Sequence, residues 1–281
     1  MARPPSRRRQ SARPWRRAKT ALIALGLSLL SASHAAHGAA PATPAPPLEA
    51  PPAECEAAVT ADPADREAWR CFYLWARRSG TWTSAQHRLQ AALAADPANA
   101  HARLNLGHLH SDRGDAAAEP LYLQAADDYA AADDAVGGVH AHLALANLRA
   151  HVGRPPDQIQ AALDTAADIA EDHGEPELQA KVDAQTARQL WRQGTDYALA
   201  YRMIRQAEAR AFPDGPYQLK LLVLHVLAGI CRETDRLDEG YAASQRLVDL
   251  SAAAGDRYVE ATARLNVAEF ATAHPDRVPP E

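Results

Sequence analysis

The sequence predicts an all-α fold, an α-solenoid of about five helical hairpins followed by one terminal helix. Three observations point there. Asp62-Pro63 and Asp96-Pro97 lie 34 residues apart, an interval that holds one amphipathic helix pair. Hydrophobic residues make up 47% of the chain but aromatics only 6%, so alanine carries much of the apolar share. Alanine favours helix and lets helices approach closely, which suits stacked hairpins. No long run alternates Val, Ile and Thr, so little favours a sheet.

The first forty residues have a different character. Arg3, Arg7, Arg8, Arg9, Arg13, Arg16, Arg17 and Lys19 form a basic head with no acid among them, followed by an apolar run from Ala21 to Leu30 and small residues from Ser31 to Gly38. This is the layout of a secretory signal over residues 1–40, with cleavage expected after Ala35 or Gly38. The apolar run is shorter than the roughly 20 residues of a membrane span, so membrane contact is expected only if the signal stays uncleaved. The expected location is the bacterial periplasm or the exterior. Removing eight basic residues from the 30 basic and 35 acidic leaves 22 against 35, a net charge of −13. So acidic a chain, without an aromatic and basic stripe, is a poor nucleic-acid binder.

A Pro- and Ala-rich linker follows over residues 41–52, and the solenoid is expected over 53–273, with a short tail at 274–281. Helical order begins in a short stretch from Glu54 to Thr60 that carries Cys55. Cys71 falls in the next helix, with Asp62-Pro63 making the turn between them. In an oxidising compartment two antiparallel helices so joined bring Cys55 and Cys71 within reach of a disulfide that would staple a cap helix to the first repeat. Cys231 is left as a core residue.

The first repeat runs from about Ala64 to Pro97. Trp69 anchors its first helix, Gly80 ends it, and Ala85, Leu89 and Ala92 share one face of the second. The second repeat carries Leu106-Gly107, a turn at Gly114-Asp115, then Leu123 and Ala126. Gly107 permits a close helix contact and Gly114 supplies the left-handed cap.

Trp69, Ala85, Ala92 and Pro97 stand where tetratricopeptide repeats place Trp, Ala, Ala and Pro, and Leu106, Gly107, Ala126 and the Gly114 turn recur in register. Over these two units the chain resembles that family. The resemblance implies a right-handed superhelix whose first helices line a concave binding face. Downstream the spacing lengthens to about 40 residues, as in the longer repeats of bacterial signalling proteins. A third unit has Leu145-Ala146 and Gly153-Arg154 and ends at His173-Gly174. A fourth has Gln193-Gly194, Ala200, Ile204 and Ala207 and ends near Gly215. A fifth has Leu227-Ala228 and Leu237 and ends near Gly255. Glu119, where Ala is expected, and Asp235, in place of a turn glycine, depart from the pattern. The terminal helix, about Val259 to Ala273, carries Ala263, Val267 and Phe270 on one stripe and other apolar residues elsewhere.

The motifs of catalysis are missing. No Gly-x-Ser-x-Gly elbow, His-Glu-x-x-His or Cys-x-x-Cys occurs, and Gly137-Gly138 reads as a turn before a helix, not as a phosphate loop. His225 and Cys231 are six apart on one helix, which does not bring them into contact. The reading is therefore a non-enzyme with no cofactor. The resemblance places a partner-binding strip on the concave face: Arg70, Leu74 and Arg77 from the first unit, His101, Leu104 and His108 from the second, His140, Leu143 and Asn147 from the third. Such a strip suits a protein partner or an extended acidic or C-terminal peptide. Arg70 fits one position of the terminal-carboxylate clamp known in some tetratricopeptide domains, but Leu74 stands where that clamp needs Asn. Two further readings follow. The chain loosely resembles the N-terminal regulatory arms of caspase-like (CHAT) proteins, and His101, His108 and His140, with Asp112 nearby, offer a strip for a metal or small ligand.

Overall fold

The computed structural model describes residues 49–273, and every regular element among them is an α-helix. The expected signal over residues 1–40, the linker up to residue 48 and the tail at 274–281 lie outside the described residues. Twelve helices follow in order among the described residues: α1 Ala53–Ala61, α2 Arg66–Ser79, α3 Trp82–Ala95, α4 Ala100–Asp112, α5 Ala118–Ala131, α6 Ala135–His151, α7 Pro156–His173, α8 Pro176–Gln193, α9 Tyr197–Ala211, α10 Tyr217–Glu233, α11 Leu237–Ala253 and α12 Arg257–Ala273.

Helices α2 to α11 pair into five hairpins, with α1 before them and α12 after them. Each first helix packs on its own second helix and also on the first helix of the next hairpin, α2 on α4, α4 on α6, α6 on α8 and α8 on α10. The second helices form no such row. Closer spacing along one row curves a stack toward it, so the first helices line the inner side. The described residues form an all-α solenoid of five hairpins between a leading and a terminal helix.

The Asp-Pro turns show why the hairpins fold where they do. Asp62 Oδ1 accepts from the Ala64 N–H at 2.9 Å, and Asp96 Oδ1 accepts from the Ala98 N–H at 3.1 Å. These local bonds compete with helix and set the bend before it. A side chain six residues on then holds the proline carbonyl. Trp69 Nε1 donates to Pro63 O at 2.8 Å, and Arg103 donates to Pro97 O. Trp69 and Arg103 are themselves 34 residues apart, so arginine takes the place of tryptophan in the second unit. Asp65, Asn99 and Asp134 cap α2, α4 and α6 by accepting from first-turn N–H groups. Asp235, at φ 59°, makes the left-handed turn for which glycine was expected.

Close packing depends on glycines set against aromatic rings. A Cβ on Gly107 would stand 2.7 Å from the Tyr122 ring, and one on Gly137 would stand 2.2 Å from the Tyr129 ring. The expected contact at Gly107 is therefore present. Gly137 and Gly138, expected as a turn, instead lie inside the first turn of α6. Two other expectations shift by one residue. Leu123 is 42% exposed, and the buried stripe of α5 is Tyr122, Ala125, Ala126 and Tyr129. Ala118 fills the small buried position, which leaves Glu119 to accept from Arg149 Nε at 3.0 Å and Arg154 at 2.8 Å. In α12, Ala263 and Phe270 are buried and Leu265 is exposed.

At the other end, α1 lies on the first hairpin. Glu56 accepts from Arg88 Nε at 2.5 Å and from its terminal nitrogen at 2.7 Å. Cys55 and Cys71 face each other with Cα atoms 5.5 Å apart, inside the span of a disulfide. Cys231 is buried, and burial pushes its thiol up to about 12, so it stays an unreactive core residue.

Candidate functional site

The inner face is built from positions that recur along the first helices. On α2, Arg70 pairs with Glu67 at 3.0 Å, and Arg77 meets Asp112 at 3.4 Å. Tyr73, between them, donates to the same Asp112 at 3.0 Å and carries the Arg77 guanidinium over its ring. The basic start of the groove is therefore neutralised by the chain's own carboxylates. Leu74 is half-buried beside them.

On α4, His101 and His108 point back into their own hairpin. His101 Nδ1 lies 2.8 Å from the Tyr129 hydroxyl and His108 Nδ1 lies 2.8 Å from the Tyr122 hydroxyl. The two pairs are seven residues apart on both helices, running in opposite directions, and they stitch α4 to α5. Burial pushes the His108 imidazole down to about 4, assisted by the charges of Arg70 and Lys181. Burial likewise lowers His101, and it raises Tyr122 and Tyr129 well above the ordinary phenol value. The neutral ring of His108 and the protonated Tyr122 hydroxyl then share one hydrogen bond.

Two expectations about this strip need correction. Leu104 and Leu143 are each 3% exposed, because the close approach of α4 and α6 buries them between the second and third hairpins, and they offer a partner nothing. His101, His108 and His140 do not converge. The first two are held by separate tyrosines and the third by Lys181, and no group of three or more metal-ligating side chains gathers among the described residues. Off the strip, His225 is exposed and packs edge-on against Trp191.

Farther along, the face gains residues that the sequence alone did not single out. Lys181 Nζ of α8 lies 2.5 Å from His140 Nε2 of α6. Arg188 donates to Asn147 Oδ1, and Gln189 Nε2 donates to the same oxygen at 3.1 Å. His140 to Lys181 and Asn147 to Arg188 are both steps of 41 residues, so carrying the register of the third unit forward by one long repeat would have found them. Burial lowers Lys181 to about 8, with Arg70 and Arg66 adding to it, and it pushes His140 well below the ordinary imidazole value, with Lys181 the next cause.

No protein-family model matches the chain. No curated protein matches it either. Among solved structures, it is similar in fold to a chain of the APC/C hetero-tetramer Cut9-Hcn1, with a TM-score of 0.54 at 13% identity over 80% of this chain. The fold is of the tetratricopeptide-repeat type. This chain spans 43% of the length of that neighbour, and at such identity the likeness extends to the fold alone.

Proposed function

We propose that the chain is an exported scaffold that holds a protein or peptide partner along its inner face, with no catalysis of its own and no affinity for nucleic acid. One observation carries the reading. Polar side chains recur in register on successive first helices, His140 beside Lys181 and Asn147 beside Arg188, and all four stay partly exposed. A rigid row of this kind offers many contacts with little ordering loss on its own side. The neighbour's membership of a hetero-tetramer agrees with a fold used for assembly. First helices begin at Ala135, Pro176, Tyr217 and Arg257, intervals of 41, 41 and 40 residues, and this supports the longer, signalling-type repeat for the second half. Export rests on the layout of residues 1–40, and with it goes a Cys55–Cys71 bridge formed in an oxidising compartment.

Affinity capture from the native envelope fraction tests the reading. The chain carrying Lys181→Glu and Arg188→Glu should lose one specific protein that the parent retains. Arg202→Glu, on an outer helix, should retain it. Equal recovery by all three would remove the inner face as the binding surface. Non-reducing peptide mapping of the same sample should show a mature start after Ala35 or Gly38 and Cys55 joined to Cys71.

A further inference from the structure

Cations near the inner face are of two kinds. Arg66, Arg70 and Arg77 each meet a carboxylate of the chain, at Asp134, Glu67 and Asp112. Lys181 and Arg188 meet none among the described residues. They lie seven residues apart on α8, hence on one side of it and about 10 Å apart along its axis. Their neighbours are neutral acceptors: an imidazole nitrogen for Lys181 and a carboxamide oxygen for Arg188. Arg188 Nε is buried with no hydrogen-bond partner, and so is Gln185 Oε1 on the same helix. Buried polar groups normally find partners, and a buried cation without a counter-charge raises the free energy of the empty face.

We propose that Lys181 and Arg188, backed by His140 and Asn147, receive two carboxylates of an acidic peptide. The inference rests on the reading that the inner face takes a partner, and it names that partner's chemistry. The separation selects carboxylates on a chain over a single compact anion. A peptide in the polyproline II conformation has three residues per turn and advances about 3.1 Å per residue, so acidic groups three residues apart fall on one side of it about 9 Å apart, close to the span of about 10 Å. Arginine adds a planar fork suited to a carboxylate.

Binding should also move a proton. Burial comes first at both groups; Arg70 and Arg66 of α2 also oppose a charge on Lys181, against Glu67 of α2 and Glu177 of α8 which favour it, while Lys181, Arg66, His108 of α4 and Arg70 oppose a charge on His140. With Lys181 lowered to about 8, about half of it is uncharged at pH 8. A carboxylate seated against it favours the charged form. Binding at pH 8 therefore draws about half a proton from the buffer onto Nζ, and affinity rises as pH falls through 8.

The test is calorimetric titration of the full mature chain with an N-acetylated, C-amidated decapeptide containing Glu-Gly-Gly-Glu, and with its Gln-Gly-Gly-Gln counterpart as amide and as free acid. The Glu peptide should bind at least tenfold tighter than the Gln amide. Gain from the free acid alone would assign the carboxylate to a chain terminus and overturn the paired-carboxylate proposal. Equal affinity of all three overturns it as well. Lys181→Met and Arg188→Met should each lower affinity at least tenfold while the unfolding temperature holds or rises; a fall in that temperature makes the charges structural and also overturns it. At pH 8 the binding heat of the parent should differ between phosphate and Tris buffers. Lys181→Arg, charged throughout, should bind without that difference. If the peptides fail while Lys181→Glu and Arg188→Glu still lose the captured protein, only this inference falls. If capture ignores those two substitutions and the peptides fail as well, the scaffold reading falls with it.

Discussion

The second hairpin and the fourth treat a partly buried cation in opposite ways. In the second, Arg103 of α4 pairs with Asp128 of α5 and donates to Pro97 O, with the arginine side chain 7% exposed and the aspartate 19%. In the fourth, Lys181 bonds the ring nitrogen of His140 and forms no ion pair among the described residues. A cation with a carboxylate from its own chain acts as a fastening. One without such a partner adds nothing to the fold and keeps its charge for something outside it. The solenoid thus changes character along its length, from a first part closed by its own ion pairs and His–Tyr bonds to a middle part with open cations.

The largest effect should separate these two. Arg103→Met leaves Asp128 partly buried and unpaired and should lower stability by about 3 kcal/mol. Lys181→Met removes an uncompensated charge and should raise it by about 1 kcal/mol. Urea unfolding followed by helical circular dichroism reads both. The contrast fails if the two shifts share a sign.

Much of the fold was legible because its signals are local. The Asp-Pro interval, Trp69, Gly80 and Pro97 mark turns and anchors that depend on a few neighbouring residues. The site was less legible, because exposure on the inner face is decided by the next hairpin. Arg70, Leu104 and Leu143 hold similar places on their helices, yet the two leucines are covered where α4 and α6 meet. Lys181 and Arg188 escaped notice because Gln193-Gly194, a turn, served to mark the fourth unit. Its helix register runs instead from His140 and Asn147, 41 residues back.

A smaller effect is expected within the closed first part. Helix propensity alone predicts that replacing either glycine of α6 by alanine stabilises, by about 1 kcal/mol. The neighbours decide otherwise at one of them. At Gly137 the new Cβ meets the Tyr129 ring at 2.2 Å, and that ring is 1% exposed with its hydroxyl bound to His101, so it has nowhere to go. Gly137→Ala should lower stability by about 2 kcal/mol. At Gly138 the nearest atom is Ile169 Cδ1 at 3.6 Å, an ordinary contact, and Gly138→Ala should stabilise. Opposite shifts in the urea midpoint would establish that ring-on-glycine packing governs the α5–α6 contact.

The smallest effect concerns acid. The unfolded His108 imidazole takes its proton near 6.5, whereas the folded one, buried against Tyr122, takes it near 4. The unfolded state therefore binds more protons between these values, and stability falls as pH drops through that window. Between pH 7 and pH 5.5 the loss from this group should be about 1 kcal/mol. His101, His140 and His142 are lowered by burial too, so the whole chain should lose more than His108 alone accounts for. His108→Gln isolates its contribution. The amide can still bond the Tyr122 hydroxyl but does not titrate, so urea midpoints at the two pH values should draw closer than in the parent by the share of His108. An unchanged gap would mean that His108 titrates alike in both states, and that its bond to Tyr122 opens to water before the hairpin unfolds.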